Sequence, residues 1–230
     1  MSHNQDRNER LHPRRSDRTR WVLELLREKL RRIVQSELLP KGQRIFDYGC
    51  RSKPYQVLFS AKFAEYVGGD LAGDQDADVV LGPKGEVPVP DESFDCVLSS
   101  QVLEHVQDPP SYLREARRIL KAGGHLILST HGIWPYHPDP LDYWRWTSDG
   151  LEFELSRAGF EPIIVHSVFG GESCALQLWQ DATFERLPRW IQPLYTRSIQ
   201  GLIGLIERRQ PDKLSKDASV YVILARKVSE

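Results

Sequence analysis

An α/β fold, with a mostly parallel sheet and helices on both of its faces, is the class this sequence predicts, and three observations carry it. RIFDYGC (residues 44–50) reads as a short buried strand in Ile45, Phe46 and Tyr48 that breaks at Gly49. A second strand-like run, AEYVGGDL, ends in Asp70 about twenty residues further on, the spacing at which a carboxylate meets a ribose in dinucleotide-type folds. Beyond it, SFDCVLSS, the helical stretch around LREARRILK and the run HLILST repeat the strand, helix, strand rhythm of a parallel sheet.

Residues 1–20 are polar and arginine-rich with almost no apolar side chains, and are expected to be a disordered basic arm because they cannot bury enough surface to offset ordering. Asp6, Glu9 and Asp17 among the arginines favour a solvated tail over a nucleic-acid or membrane arm. Ser16 or Asp17 can cap a helix running to about residue 39, with Trp21, Leu23, Leu25, Leu26, Leu30, Ile33 and Val34 on its apolar face and Pro40 and Gly42 as stops.

A third short strand is expected at 78–81 and the clearest one at 94–99. After VLEHV, a break at Pro109 and Pro110 should precede a helix from 111 to about 121, closed by Gly123 and Gly124. Residues 131–150, HGIWPYHPDPLDYWRWTSDG, are too interrupted for a regular element. Thr147 or Ser148 then caps a helix to about Ala158, ended by Gly159.

Two late strands, 162–168 and 219–226, enclose an insert at 170–217 whose apolar spacing predicts one or two amphipathic helices. The chain therefore divides into an arm (1–20), a main domain (21–169 and 218–230) and the insert. The insert's apolar face fits core packing, a lid, a homodimer contact or a lipid surface.

The 230 residues suit one domain with decorations, and a formal charge of −1 gives no general sign of nucleic-acid binding. Cys50, Cys96 and Cys174 are scattered without a CxxC pair, which points to a reducing compartment, the cytoplasm, and away from a disulfide framework or a metal site. There is no apolar run of about eighteen residues, so any membrane contact is expected to be peripheral.

In a parallel sheet, ligands bind outside the carboxyl ends of the strands, which brings Asp47, Gly49, Asp70, Gln101 and His131 to one rim. Gly49 lets the backbone turn sharply and a ligand approach main-chain amides. The full G-x-G-x-x-G pattern is missing, since Arg51 and Ser52 stand where more glycines would be expected, so an ordinary strand and turn fits the residues too. Trp134, Tyr136, His137, Tyr143, Trp144 and Trp146 supply flat, polar-tipped surfaces in the broken loop, suited to a sugar or an aromatic metabolite.

The order RIFDYGC, EYVGGDL, PVPDESFDCVLSSQVLEHVQDP, LREARRILKAGGHLILST resembles the class I S-adenosylmethionine-dependent methyltransferases of the type 11 kind over residues 43–159. The most specific part is SFDCVLSSQVLEHVQDP followed by RILKAGG. The resemblance implies a Rossmann-like sandwich with a seven-stranded sheet, its last strand antiparallel and preceded by a helical insert, and S-adenosyl-L-methionine as cofactor. It further implies that Asp47 and Gly49 line the methionine end, Asp70 holds the ribose, Leu71 and the 82–87 loop flank the adenine, and Gln101 contacts the cofactor near transfer. Arg51 departs from the family's second glycine. Its side chain can point outward or narrow the approach.

A hydroxyl acceptor benefits from a base, for which His137 and then His131 are the candidates, with Asp139 or Asp142 to orient it. A hydrogen-bonded loop role fits each histidine as well. The expected activity is methyl transfer to a hydroxyl of a saccharide or small polar metabolite, in glycan or natural-product biosynthesis. The alternative is a catalytically degenerate, methyltransferase-like scaffold. A nicotinamide enzyme is disfavoured by the missing glycines.

Overall fold

The computed structural model describes residues 9–209 and 214–228. Seven strands form one sheet in the order β3-β2-β1-β4-β5-β7-β6: β1 Gly42–Tyr48, β2 Phe63–Asp70, β3 Val79–Val80, β4 Phe94–Ser100, β5 Leu120–His131, β6 Phe160–Val168 and β7 Val220–Lys227. The first five run parallel, and β7 lies antiparallel between β5 and β6. This is the expected architecture.

Each strand feeds two cores because side chains alternate across the sheet. On β1, Ile45 packs on one face and Phe46 and Tyr48 on the other. The Phe46 face is covered by α3 (Pro109–Ile119) and α4 (Ser148–Arg157) through Tyr112, Leu113, Ala116, Leu151 and Leu155. The Ile45 face is covered by α1 (Arg20–Gln35), the short α2 (Gln56–Phe59), α5 (Gly171–Phe184) and α6 (Gln192–Arg209). Along α1, Val22, Leu26, Leu30 and Ile33 recur at helical spacing and are all buried, each contributing about 1.5–3 kcal/mol of transfer free energy.

Four local expectations are corrected. Residues 9–19 contact the fold: Leu11 packs on the core that α1 lines, Arg27 of α1 donates to the Leu11 carbonyl, and Arg18 lies over the Phe184 ring of α5 at 4.3 Å. Residues 1–8 of the expected arm lie outside the described residues. Helix α1 stops at Gln35, four residues early. Pro109 and Pro110 open α3, since the first helical positions need no N–H, and Asp108 caps it by accepting from Ser111 N at 3.1 Å. Gly123 and Gly124 fall inside the long β5, not at a helix end.

The insert is a helix pair, α5 and α6, that packs on α1. It leaves the sheet at the carboxyl end of β6 and returns at the start of β7, where Val220 pairs with both Val168 and His131. Both attachment points therefore sit at the rim.

Candidate functional site

At the rim, the turn after β1 is pinned by Gly49 N and Cys50 N, which both donate to the Gly69 carbonyl at 2.8 and 3.1 Å. Gly49 has φ +87°, and a Cβ there would lie 2.6 Å from Val102 Cγ2, so no other residue fits without displacing the β4 end. Asp47 is buried one residue below the strand end and accepts from Tyr66 OH at 2.5 Å. Burial pushes its carboxyl up to about 7, the Tyr66 hydrogen bond pulling the other way and the neighbouring Asp70 charge adding to the rise.

Asp70 closes β2 with its carboxylate held by two backbone amides, Arg51 N at 2.7 Å and Leu71 N at 2.8 Å. Leu71 and Val80, on neighbouring strand ends, leave apolar side chains exposed beside it. Arg51 adopts a left-handed backbone, φ +44°, the conformation a glycine would take without strain, and its guanidinium turns outward to pair with Asp139. Gln101 is also left-handed, φ +59°; its backbone N–H donates to the Ser129 carbonyl at 2.9 Å and its side-chain amide to Ser129 Oγ at 3.2 Å.

The loop between β5 and α4 is a flap over the same rim. Its far end is tied to a 3-10 turn, Leu103–His105, where Tyr143 N and Trp144 N donate to the Glu104 carbonyl and Trp144 Nε1 donates to the Val106 carbonyl at 2.7 Å. Arg145 staples the flap internally. Its guanidinium forks onto Asp142 at 2.6 and 2.5 Å and donates to the carbonyls of Trp134, Pro135 and Trp144. Burial works against the Asp142 charge, but Arg145 and the His137 N–H together hold its carboxyl below the ordinary value.

Three imidazoles meet under this flap. The ring of His137 lies 5.8 Å from those of His105 and His131, while His131 stacks on Trp134 at 5.1 Å. His137 is exposed, and partial burial followed by repulsion from His105 lowers its value, so it is neutral at pH 7. His105 Nδ1 contacts the Leu141 carbonyl at 2.6 Å.

Two further candidates are placed as follows. His131 is buried against Glu104, whose Oε1 lies 3.1 Å from Nδ1 but out of line for a hydrogen bond, and burial drives the imidazole down to about 3. Burial drives Glu104 in the opposite sense, so folding disfavours the charged form of each partner. Asp139 pairs with Arg51, and its charge also acts on His137, where it favours the protonated ring. Asp142 is the carboxylate tied to His137, through its backbone N–H at 2.7 Å.

Tyr66 and Glu104 were not assigned from sequence, whereas the reading of Arg145 as a loop clamp paired to a carboxylate fits its fork onto Asp142. A carboxylate inside the apolar context of VLEHV was the available signal for Glu104. Together, the buried Asp47 carboxylate, the Gly49 backbone, the fixed Asp70 oxygens and the exposed Leu71 and Val80 edges fit a cationic amino acid joined to an adenosine. A separate cleft of about 620 Å³, lined by Asp91, Glu92, Arg114, Arg117, Arg118 and Lys227, lies at the amino-terminal ends of the parallel strands, away from the strand ends that bind ligands in this architecture.

The family profile described as "Methyltransferase domain" matches residues 18–192. The chain is similar to a Mycobacterium tuberculosis protein bearing the name "Probable S-adenosylmethionine-dependent methyltransferase", 31% identical over 100 residues, 41% of this chain and 36% of that protein. It is also similar to the ubiquinone biosynthesis O-methyltransferase of Cereibacter sphaeroides, 29% identical over 133 residues, 52% of this chain and 54% of that one. The match spans only 29% to 36% of the length of the first curated relatives. In fold, it resembles a SAM-dependent methyltransferase from Archaeoglobus fulgidus, with TM-score 0.56 and 19% identity, over 98% of this chain and all of that one.

Proposed function

This chain belongs to the methyltransferase-domain family and uses S-adenosylmethionine; from that premise we propose that it methylates a hydroxyl of a saccharide or small polar metabolite, with His137 as the base. The observation that carries the proposal is an exposed, neutral imidazole on an aromatic flap that is itself latched, through Asp139 and Arg51, to the cofactor turn. Bound S-adenosylmethionine supplies a methyl group already activated on a sulfonium. The protein's work is alignment and proton removal.

In this reading Asp47 and the Gly49 backbone receive the amino acid end, Asp70 takes the ribose hydroxyls, and Leu71 and Val80 cover the adenine edges. Gln101, held at the β4 end by Ser129, borders the transfer point. The acceptor lies under the flap, where Tyr136, Tyr143 and Trp144 expose ring faces suited to the apolar side of a sugar. His137 takes the hydroxyl proton as the methyl arrives. The O-methyltransferase among the similar proteins supports an oxygen acceptor, and the three free, buried cysteines accord with a cytoplasmic setting.

Replacing the base tests this directly. His137→Ala is expected to lower turnover of a hydroxyl acceptor about 10²- to 10⁴-fold while S-adenosylhomocysteine affinity, read by isothermal titration, stays within about threefold. Wild-type turnover in the variant would remove His137 from the chemistry. Failure of the wild-type protein to bind either S-adenosylmethionine or S-adenosylhomocysteine at millimolar levels would favour the scaffold reading.

A further inference from the structure

Helix α6 carries two faces of different character. Thr196, Gln200, Ile203 and Gly204 are buried against α1 and α5, so one side of the helix is fully used inside the fold. On the other side Trp190, two residues before the helix, is 82% exposed, Leu194 68%, and Leu202 and Leu205 each 50%. Leu194, Leu202 and Leu205 fall within about 80° of one another on the helical wheel and form one outward stripe, with Trp190 exposed in the turn that leads into it. An outward stripe of this kind is normally polar, and its apolar content calls for a covering partner.

The charges around the stripe identify the partner. Arg186 and Arg189, with one acid, Glu185, are exposed in the turn leading to Trp190, while Arg197 on one flank of the leucines and Arg209 in line with them are exposed as well. The sole acid of α6, Glu207, falls on the inward half of the helical wheel. A chain with formal charge −1 thus concentrates positive charge around one apolar strip. Two copies of such a face would oppose arginine with arginine, whereas a sheet of anionic headgroups over acyl chains matches both the charge and the leucines.

We propose that the outward face of α6, with Trp190, lies in the headgroup layer of an anionic phospholipid membrane. The eighteen residues of the helix span about 27 Å parallel to such a surface. Among the described residues no helix is long and apolar enough to cross a membrane, so the contact is along the surface. The insert hangs from the rim ends of β6 and β7, and Cys174 Sγ on α5 lies 3.8 Å from the Ile133 carbonyl at the base of the flap.

The test is flotation of the full chain with vesicles of phosphatidylcholine alone or mixed equally with phosphatidylglycerol. Binding to the anionic vesicles is expected to be at least about tenfold tighter and to weaken in 0.5 M salt. A Trp190→Ser, Leu194→Ser, Leu205→Ser variant should lose about tenfold or more of that binding with unchanged S-adenosylhomocysteine affinity and unchanged melting temperature, since all three side chains are exposed. The proposal is overturned if the wild type does not float with anionic vesicles, if it binds neutral vesicles equally well, or if the variant floats as the wild type does. It is also overturned if light scattering shows a dimer that the same variant dissociates, which would make a second copy the occupant.

Discussion

Asp47 is a carboxylate kept close to its titration point at neutral pH, and its behaviour should be visible in cofactor binding. Its value near 7 in the folded chain lies above the ordinary 3.8, so the ion is disfavoured by folding and the stability it contributes falls as pH rises from about 4 to about 7. A cationic ligand beside it reverses the preference, because only the ionised form attracts the charge. S-adenosylmethionine affinity should therefore rise about fivefold to tenfold between pH 6 and pH 7.5, and in Asp47→Asn it should be weaker and flat over that range; titration calorimetry at three pH values reads both. Arg51 is the second residue whose effect is calculable. Arg51→Gly relieves a left-handed backbone, worth up to about 1 kcal/mol, and removes a half-exposed ion pair, worth at most about 1 kcal/mol. The two nearly offset, so the melting temperature should move by no more than about 3 °C and cofactor affinity by less than about threefold. A large gain in affinity would mean that the arginine obstructs the pocket.

At the scale of one element, the flap shows what sequence conveys and what it hides. Its composition marked it as functional, and its irregularity was legible from its prolines. Its attachment was not legible, because the ties are backbone carbonyls: Glu104 receives two flap amides and Arg145 gathers three carbonyls, contacts that leave no pattern of residue types. The same holds for the partner of Asp139, which depends on how the loop crosses the rim, and for the burial of His131, which depends on Trp134 stacking over it. The opening of α3 was misread for a different reason: two adjacent prolines break a helix interior but are tolerated in its first turn, and only the capping bond from Ser111 N to Asp108 decides which applies. Arg145→Ala should release the flap without disturbing the cofactor side. Limited proteolysis within residues 135–145 should accelerate, acceptor turnover should fall more than about tenfold, and S-adenosylhomocysteine affinity should hold within about threefold. Equal loss of cofactor affinity would show that the flap and the cofactor turn act as a single unit.

For the whole molecule, the sheet and its two cores were the most legible features, since strand periodicity and the blocks around Asp47, Asp70 and 94–128 each fix a strand and its direction. The packing of the insert was open between core, lid, dimer and lipid, because a helical apolar face does not name its partner. The structure uses one face on α1 through polar and small residues that hydropathy does not reveal. Gln200 Nε2 shares its two hydrogens among Gln177 Oε1 and Gln180 Oε1, each at 3.0 Å and buried, and the partly buried Arg18 carbonyl at 2.7 Å. Gly204 lies flat on Trp21, where a Cβ would come within 2.3 Å of the indole. These two residues join the insert to the main domain, so they determine whether it unfolds with that domain or apart from it. Gly204→Ala must displace α6 or the indole, an overpacking cost of about 1–3 kcal/mol, and Gln200→Ala strands buried acceptors at a similar cost of about 1–3 kcal/mol. If the insert is continuous with the main core, either variant lowers a single melting transition by about 2–10 °C, and S-adenosylhomocysteine raises that transition as it does in the wild type. A second, earlier transition that the ligand does not shift would instead mark the insert as an independently melting unit carried on an intact cofactor domain.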